Sequence, residues 1–204
     1  MPAFASSALT FRLSLEPQPD ALVAGFEHWA DGVESWRRPL GFIAAAIREH
    51  HAHHLASEGR QTGAEFAPLS PRYKRHKDRA WPGRPILTRT GALLAALSKR
   101  GSAGHLEQIT DTSAVVGIDP TATTQQGRRR VRIATYALAH QSGTRTLPKR
   151  PPVRADLSNS PDSLGYSIRQ ILQVEIVTAR RAALGQTAGA PEPKMARIAR
   201  RPTR

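Results

Sequence analysis

The stretch that most constrains the fold is residues 131–152, VRIATYALAHQSGTRTLPKRPP. Apolar or β-branched side chains stand at positions 131, 133 and 135, which is the two-residue period of a half-buried strand. Gly143 favours a turn after this segment, because glycine adopts positive φ angles at little cost. The prolines at 148, 151 and 152 disfavour both a helix and a central strand in the remainder. The stretch therefore predicts a strand, a polar turn and a stiff basic loop at one edge of the domain.

The composition limits the kinds of site that the chain can carry. Its 204 residues are enough for one core with extensions. The absence of cysteine excludes a disulfide, a thiolate nucleophile and a cysteine-ligated zinc ion, and it suits a reducing cytoplasm. No run reaches the roughly 18 apolar residues of a membrane span, and the N-terminal residues lack the pattern of a secretory signal.

The charge of the chain is strongly positive, at +14, and only five of its thirty basic residues are lysine. Arginine favours bidentate contact with phosphate or carboxylate. A nucleic-acid surface and contact with acidic protein neighbours both follow from this charge. Genomic base composition is an alternative reason for the shortage of lysine, but it does not account for the net charge.

The first half of the chain predicts one strand followed by helices. Residues 9–15 alternate without a fault and predict a strand. Asp20 is a candidate cap for a helix that runs to about Trp29. A longer helix is predicted over residues 39–57, with its apolar side chains on one face. Ser70, which precedes Pro71, predicts the start of a short basic helical turn.

The second half predicts an antiparallel meander and a last helix. Thr88 or Thr90 is a candidate cap for a short helix that ends at Gly101, and residues 105–118 read as a hairpin. Residues 121–130 are polar and basic and are expected to form a flexible connection. A helix is predicted to start at 160–162 and run to about 184. Because the strands and helices are segregated, the fold class is α+β, with one domain over 1–184 and a basic flexible tail over 185–204.

The residue patterns do not favour catalysis. The four histidines at positions 50, 51, 53 and 54 could place two imidazoles near one ion, but no further ligand completes a zinc set, so a solvated histidine face is expected. No G-x-S-x-G elbow, P-loop or G-x-G-x-x-G occurs. The acidic residues are few and isolated. We therefore expect no enzyme, no cofactor and no metal.

A series of short motifs follows the chain in a recognisable order. They are PLSP at 68–71 with Phe66, Lys74 and Lys77 around it, ILTRTGAL at 86–93, VG at 116–117, YALAHQSG at 136–143 and PKRP at 148–151. In this order and spacing the chain resembles the Mu-like virion morphogenesis, or tail-completion, proteins of tailed bacteriophages, over roughly residues 9–184. Two positions depart from the family pattern. Ala67 replaces an aromatic residue, and Pro152-Val153 replaces a phenylalanine, so this loop is expected to pack less deeply.

The resemblance implies a structural protein of the head–tail neck in the phage virion, assembled in the host cytoplasm. Such proteins form oligomeric rings between the connector or stopper and the tail tube, and six copies are favoured here. Candidate contacts with other subunits or neck proteins lie in the basic clusters and the last loop: Arg72, Lys74, Arg75, Lys77, Arg128, Arg129, Arg130, His140, Lys149, Arg150 and Pro151. The alternative is a basic nucleic-acid-binding protein without catalysis. DNA contact of either protein would be non-specific, because no element for reading base sequence is evident.

Overall fold

The computed structural model describes residues 10–13 and 35–183, with side chains placed for 35–179. The elements in chain order are β1 (Thr10–Leu13), α1 (Arg37–Ala56), a 3₁₀ turn (Arg60–Thr62), α2 (Pro71–Ala80), α3 (Ala92–Ser98), β2 (His105–Ile109), β3 (Ala114–Ile118), β4 (Thr123–Gln126), β5 (Arg129–Arg132), α4 (Ile133–Ser142) and α5 (Leu164–Ala183). The fold is α+β, as the sequence predicts. The predicted helix at 20–29 and the basic tail at 185–204 lie outside the described residues. Among the described helices, none has the length and apolar character needed to cross a membrane.

The larger sheet is a three-stranded antiparallel sheet with the order β1-β3-β2. Thr10 is opposite Gly117 in β3, and His105 is opposite Ile118 on the other side of the same strand. Every second residue of β3 is buried on one face, as expected for a central strand that is covered by a helix. The predicted hairpin at 105–118 and the strand within 9–15 are thereby confirmed.

Helix α1 and strand β3 form the centre of the core. The predicted stripe of Leu40, Ile43, Ala44, Ile47 and Leu55 is buried throughout. The first four pack with Ala114 and Val116 of β3 and with Leu164 and Ile168 of α5. At the other end of α1, Leu55 packs in a second cluster with residues of α3, α4 and β3. Each fully buried aliphatic side chain contributes about 1.5–3 kcal/mol relative to an exposed one.

The chain after β5 differs from the sequence prediction. Residues 133–142 form helix α4, not a strand with a polar turn. Ile133, Ala134 and Ala137 are buried at the spacing of one helix face, whereas Thr135 is exposed. Alanine is the strongest helix former, and three alanines lie in this ten-residue segment. The short alternation at 131–135 was therefore misleading. Gly143, at φ +75°, ends the helix.

Residues 121–130 are not a flexible connection. They form most of a two-stranded antiparallel ribbon in which β4 pairs with β5, with Thr123 opposite Arg132 and Gln126 opposite Arg129. Gly127, at φ +62°, makes the reversal between the two strands possible. The polar composition of this segment hid the period of two, because both faces carry polar residues.

The helix starts were predicted with mixed success. Ser70 caps α2 by accepting a hydrogen bond from Tyr73 N, as predicted, but the helix is ten residues long and not a single turn. Helix α3 starts after Gly91, while Thr90 Oγ1 accepts a 3.4 Å hydrogen bond from Ala92 N. Helix α5 begins at Leu164, a few residues later than predicted, where Ser163 Oγ accepts a hydrogen bond from Tyr166 N.

Candidate partner-binding cleft

A cleft of about 700 Å³ opens between α2, the loop before α3, the ribbon and the loop that follows α4. Its apolar and aromatic lining includes Leu69, Tyr73, Ile86, Leu87 and Tyr136. This volume lies within the range of about 300–1,000 Å³ that is usual for ligand pockets. The cleft is therefore the candidate site for binding a partner segment.

Four of the motifs that carry the family resemblance meet at this cleft. The lining contains residues 68–70 of the PLSP motif, 86, 87, 89 and 90 of the ILTRTGAL motif, 136 and 140 of the YALAHQSG motif, and 148 and 150 of the PKRP motif. The segments are separated by up to about eighty residues of sequence. Leu87 adopts a φ of +68°, which is rare for a branched residue and which ordinarily persists only where the surrounding structure holds it.

Arg150 connects the loops that form one wall of the cleft. The residue is only 5% exposed. Its Nε donates to Ala67 O at 2.6 Å, its Nη2 donates to Pro68 O at 2.7 Å, and its backbone N donates to His140 O at 2.9 Å. Burial lowers the pKa of Arg150 below its usual value. Arg150, a predicted contact with another subunit or neck protein, is thus buried, and its guanidinium joins the last loop to the PLSP loop.

The last loop is stiff because neighbouring side chains hold its backbone. Gln141 Nε2 donates to Val153 O at 3.0 Å, and Gln141 Oε1 accepts from Val153 N at 3.2 Å. His54 Nε2 lies 2.8 Å from Pro151 O. Pro152 and Val153 are both buried, so the loop is deeply packed, contrary to the expectation from the missing phenylalanine.

The histidines of α1 are not a solvated face. His51 and His54 are 2% and 0% exposed, and burial lowers the pKa of both, that of His51 to about 3. A carbonyl oxygen only accepts, so the proton of neutral His54 lies on Nε2 and its Nδ1 accepts from Thr62 Oγ1 at 2.8 Å. Burial also lowers the pKa of His50, whose Nε2 lies 2.8 Å from Arg154 O. These rings are parts of the core and of its contact with the last loop.

No arrangement of three or more histidine and acidic side chains suited to a metal ion occurs in residues 35–179. An ion-pair network does occur on β2. The buried carboxylate of Glu107 is paired with Arg48 and, at 3.1 Å, with the exposed Arg100, and His105 Nε2 lies 3.2 Å from it. This network joins α1 to the sheet and lies outside the lining of the cleft.

The side chains that line the cleft carry only positive formal charge. Lys77, Arg89 and Arg150 are among them, and none of the lining side chains is a carboxylate. Lys77, another predicted contact, is buried and donates through Nζ to Arg84 O. The guanidinium of Arg89 lies 5.1 Å from the centre of the Trp81 ring. Burial raises the pKa of Tyr136 to about 12, so its hydroxyl stays protonated at ordinary pH.

The remaining predicted contact residues occupy three kinds of position. His140 lines the cleft, and burial lowers the pKa of its imidazole, with a smaller effect of Arg150 in the same direction. Seven of the predicted contacts are exposed and lie outside the lining of the cleft: Arg72, Lys74, Arg75, Arg128, Arg129, Arg130 and Lys149. Pro151 contributes its carbonyl to His54 and is half-buried.

The lining residues that were not predicted as contacts include Tyr73, Leu87, Arg89 and Tyr136. Three of them stand inside the quoted motifs, so the motifs contained the signal. A single sequence does not show which motif positions face one another.

A second cleft, of about 790 Å³, lies on the other side of the PLSP loop. Its lining has both signs of charge, since Glu58, Glu65 and Asp78 accompany Arg60 and Lys74. The unbalanced positive lining is therefore a property of the first cleft.

Comparison with protein-family models, with curated proteins and with solved structures yields no match for this chain.

Proposed function

We propose that the protein is a non-catalytic structural component of the neck of a tailed-phage virion. It assembles as a ring of six copies between the connector or stopper and the tail tube, and it completes the tail or joins it to the head. This proposal rests on the resemblance of residues 9–184 to the Mu-like tail-completion proteins.

The observation that carries the proposal is the meeting of four separate motifs at one cleft. Motifs that merely stabilised local turns would have no reason to line a common surface. The walls are held by hydrogen bonds of Arg150, Gln141 and His54 within the chain. A wall that is already ordered loses little conformational entropy when a partner docks, which favours tight association.

The cleft is the contact site for the neighbouring subunit or the adjoining neck protein in this proposal. A ring requires a head-to-tail contact, in which one surface of each copy meets a different surface of the next. The apolar lining supplies area to bury, and its positive charge, of which the half-buried Arg89 is the most accessible, favours a segment that carries a carboxylate.

The test fills the cleft without disturbing its walls. Thr146 is exposed, lines the cleft and forms no side-chain hydrogen bond with a described residue, so Thr146→Trp adds bulk to the cleft alone. The matched control is Thr112→Trp, at an exposed threonine in the turn between β2 and β3.

We expect Thr146→Trp to abolish ring formation in mass photometry and to reduce plaque formation of a phage that carries it, with unchanged thermal stability. Thr112→Trp should behave as wild type. Equal rings and equal plaque numbers for the two variants would exclude the cleft as the contact. Electron microscopy of particles that lack the gene would test the wider role: filled heads beside free tails support joining, whereas absent or overlong tails indicate length termination.

A further inference from the structure

The ribbon formed by β4 and β5 carries a cluster of four exposed arginine side chains. Its sequence, TTQQGRRRVR, covers residues 123–132. Arg128, Arg129, Arg130 and Arg132 are all exposed. Because Thr123 is opposite Arg132 and Gln125 is opposite Arg130, Arg130 and Arg132 share one face of the ribbon with two polar side chains, whereas Arg129 lies on the other face and Arg128 lies at the reversal between the strands.

The charge of the ribbon is not compensated from within the chain. Between Asp119 and Asp156 the sequence contains no acidic residue. None of the ribbon arginines pairs with a carboxylate of the described residues. Arginines elsewhere are different: Arg37 lies 3.8 Å from Asp111, and Arg100 lies 3.1 Å from Glu107.

The basic surface continues from the ribbon to helix α2. Gln126, which pairs with Arg129, lines the same cleft as Tyr73 of α2. The neighbours of Tyr73, Arg72 and Lys74, are exposed. The tip of the ribbon and the basic helix therefore border a common cleft.

We propose that this ribbon binds the phosphate backbone of duplex DNA, with the exposed cations of α2 as an accessory contact. Guanidinium groups form bidentate hydrogen bonds with phosphate oxygens, and threonine and glutamine side chains add donors. A two-stranded ribbon is also narrow enough to enter the major groove. The inference goes beyond the proposed function, because DNA binding by the purified chain requires neither a ring nor a virion.

An acidic protein surface fits the ribbon less well. Protein interfaces are centred on buried apolar and aromatic side chains. In residues 123–132 the only apolar side chain is Val131, which is already half-buried. A surface of arginine, glutamine and threonine without an apolar centre is typical of contacts with a polyanion backbone.

The experiment compares two full-length variants of equal net charge. Arg128→Gln, Arg129→Gln and Arg130→Gln together remove three charges from the ribbon. Arg37→Gln, Lys99→Gln and Arg154→Gln together remove three exposed charges elsewhere. Affinity for a fluorescent DNA duplex of about 20 base pairs is measured by anisotropy over a range of NaCl concentrations, because the slope of log K against log salt is about −0.9 per neutralised phosphate.

We expect the ribbon variant to lose about two to three units of this slope and at least about tenfold in affinity at moderate salt. The control variant should stay within about threefold of wild type, and a triple lysine variant of the ribbon should retain the slope. Equal losses in the ribbon and control variants would overturn the proposal, as would loss in the lysine variant. If polyglutamate bound as tightly as DNA at the same salt concentration, the partner of the ribbon would instead be an acidic protein.

Discussion

Removal of the Arg150 side chain tests whether its hydrogen bonds within the chain stabilise the wall of the cleft. In wild type its guanidinium supplies charge-assisted hydrogen bonds to Ala67 O and Pro68 O. Each such bond contributes about 1.5–3 kcal/mol, and an acceptor left buried without a partner costs about 1–3 kcal/mol. The substitution also removes a buried cation that no described carboxylate neutralises, which offsets part of the loss. We expect Arg150→Ala to lower the free energy of unfolding by about 3 kcal/mol.

The assay is urea unfolding followed by circular dichroism at neutral pH, with the slope m compared among variants. Lys149→Ala is the matched control, because Lys149 is the preceding residue and is exposed, and it should change stability by less than about 0.5 kcal/mol. Arg150→Lys should lose roughly half as much as Arg150→Ala, because an ammonium group does not reproduce the two-pronged geometry of a guanidinium. If Arg150→Ala and Lys149→Ala unfold at the same urea concentration, the reasoning is refuted.

Three further predictions concern the core. Burial lowers the pKa of His51 from 6.5 in the unfolded chain to about 3 in the folded protein. Its contribution to stability is therefore complete above pH 6.5 and falls by up to about 1.4 kcal/mol per pH unit as the pH drops toward 3. A series of thermal melts should show this loss, and a His51→Leu variant should show a flatter dependence of stability on pH. Gly59→Ala should destabilise the fold by several kcal/mol, because φ at this position is +82° and the new Cβ would lie 1.9 Å from a backbone carbonyl oxygen. Gly41→Ala, in a helix with open space around the new Cβ, should stabilise it by roughly 0.5–1 kcal/mol in the same urea assay. Glu107→Gln should lower the free energy of unfolding by about 3–5 kcal/mol in urea, because it leaves the partly buried Arg48 unpaired. Glu65→Gln, at an exposed site, should leave stability unchanged, and equal effects of the two variants would count against the ion-pair network.

Periodicity was a sound guide where a segment had one buried face. The stripe of α1 and the strand β1 were both predicted, because long or strongly patterned segments leave one way to bury their apolar side chains. The cap at Ser70 was also predicted, since proline at the next position allows few alternatives.

Periodicity failed where the segment was short or polar on both sides. Residues 131–135 match a strand over only five positions, and the buried set of Ile133, Ala134 and Ala137 becomes visible only when the neighbours in α3 are in place. The ribbon at 123–132 has no apolar face, so only its pairing reveals it.

The burial of the histidines and of Arg150 was missed for a different reason. Polar side chains are exposed by default, and only specific partners make their burial tolerable. Those partners are distant in sequence: His54 meets Pro151, and Arg150 meets Ala67 and Pro68. No local pattern contains that information.

The sequence by itself determined the α+β class, the apolar stripe of α1, the hairpin and the excess of positive charge, because each depends on composition or on neighbours a few residues away. Only the tertiary structure decided that Arg150 is internal, that four motifs share one cleft and that the arginines at 128–132 project from a paired ribbon. The physical reason is that a buried cation, a common wall and a strand pair each require partners brought together by the packing of the whole chain.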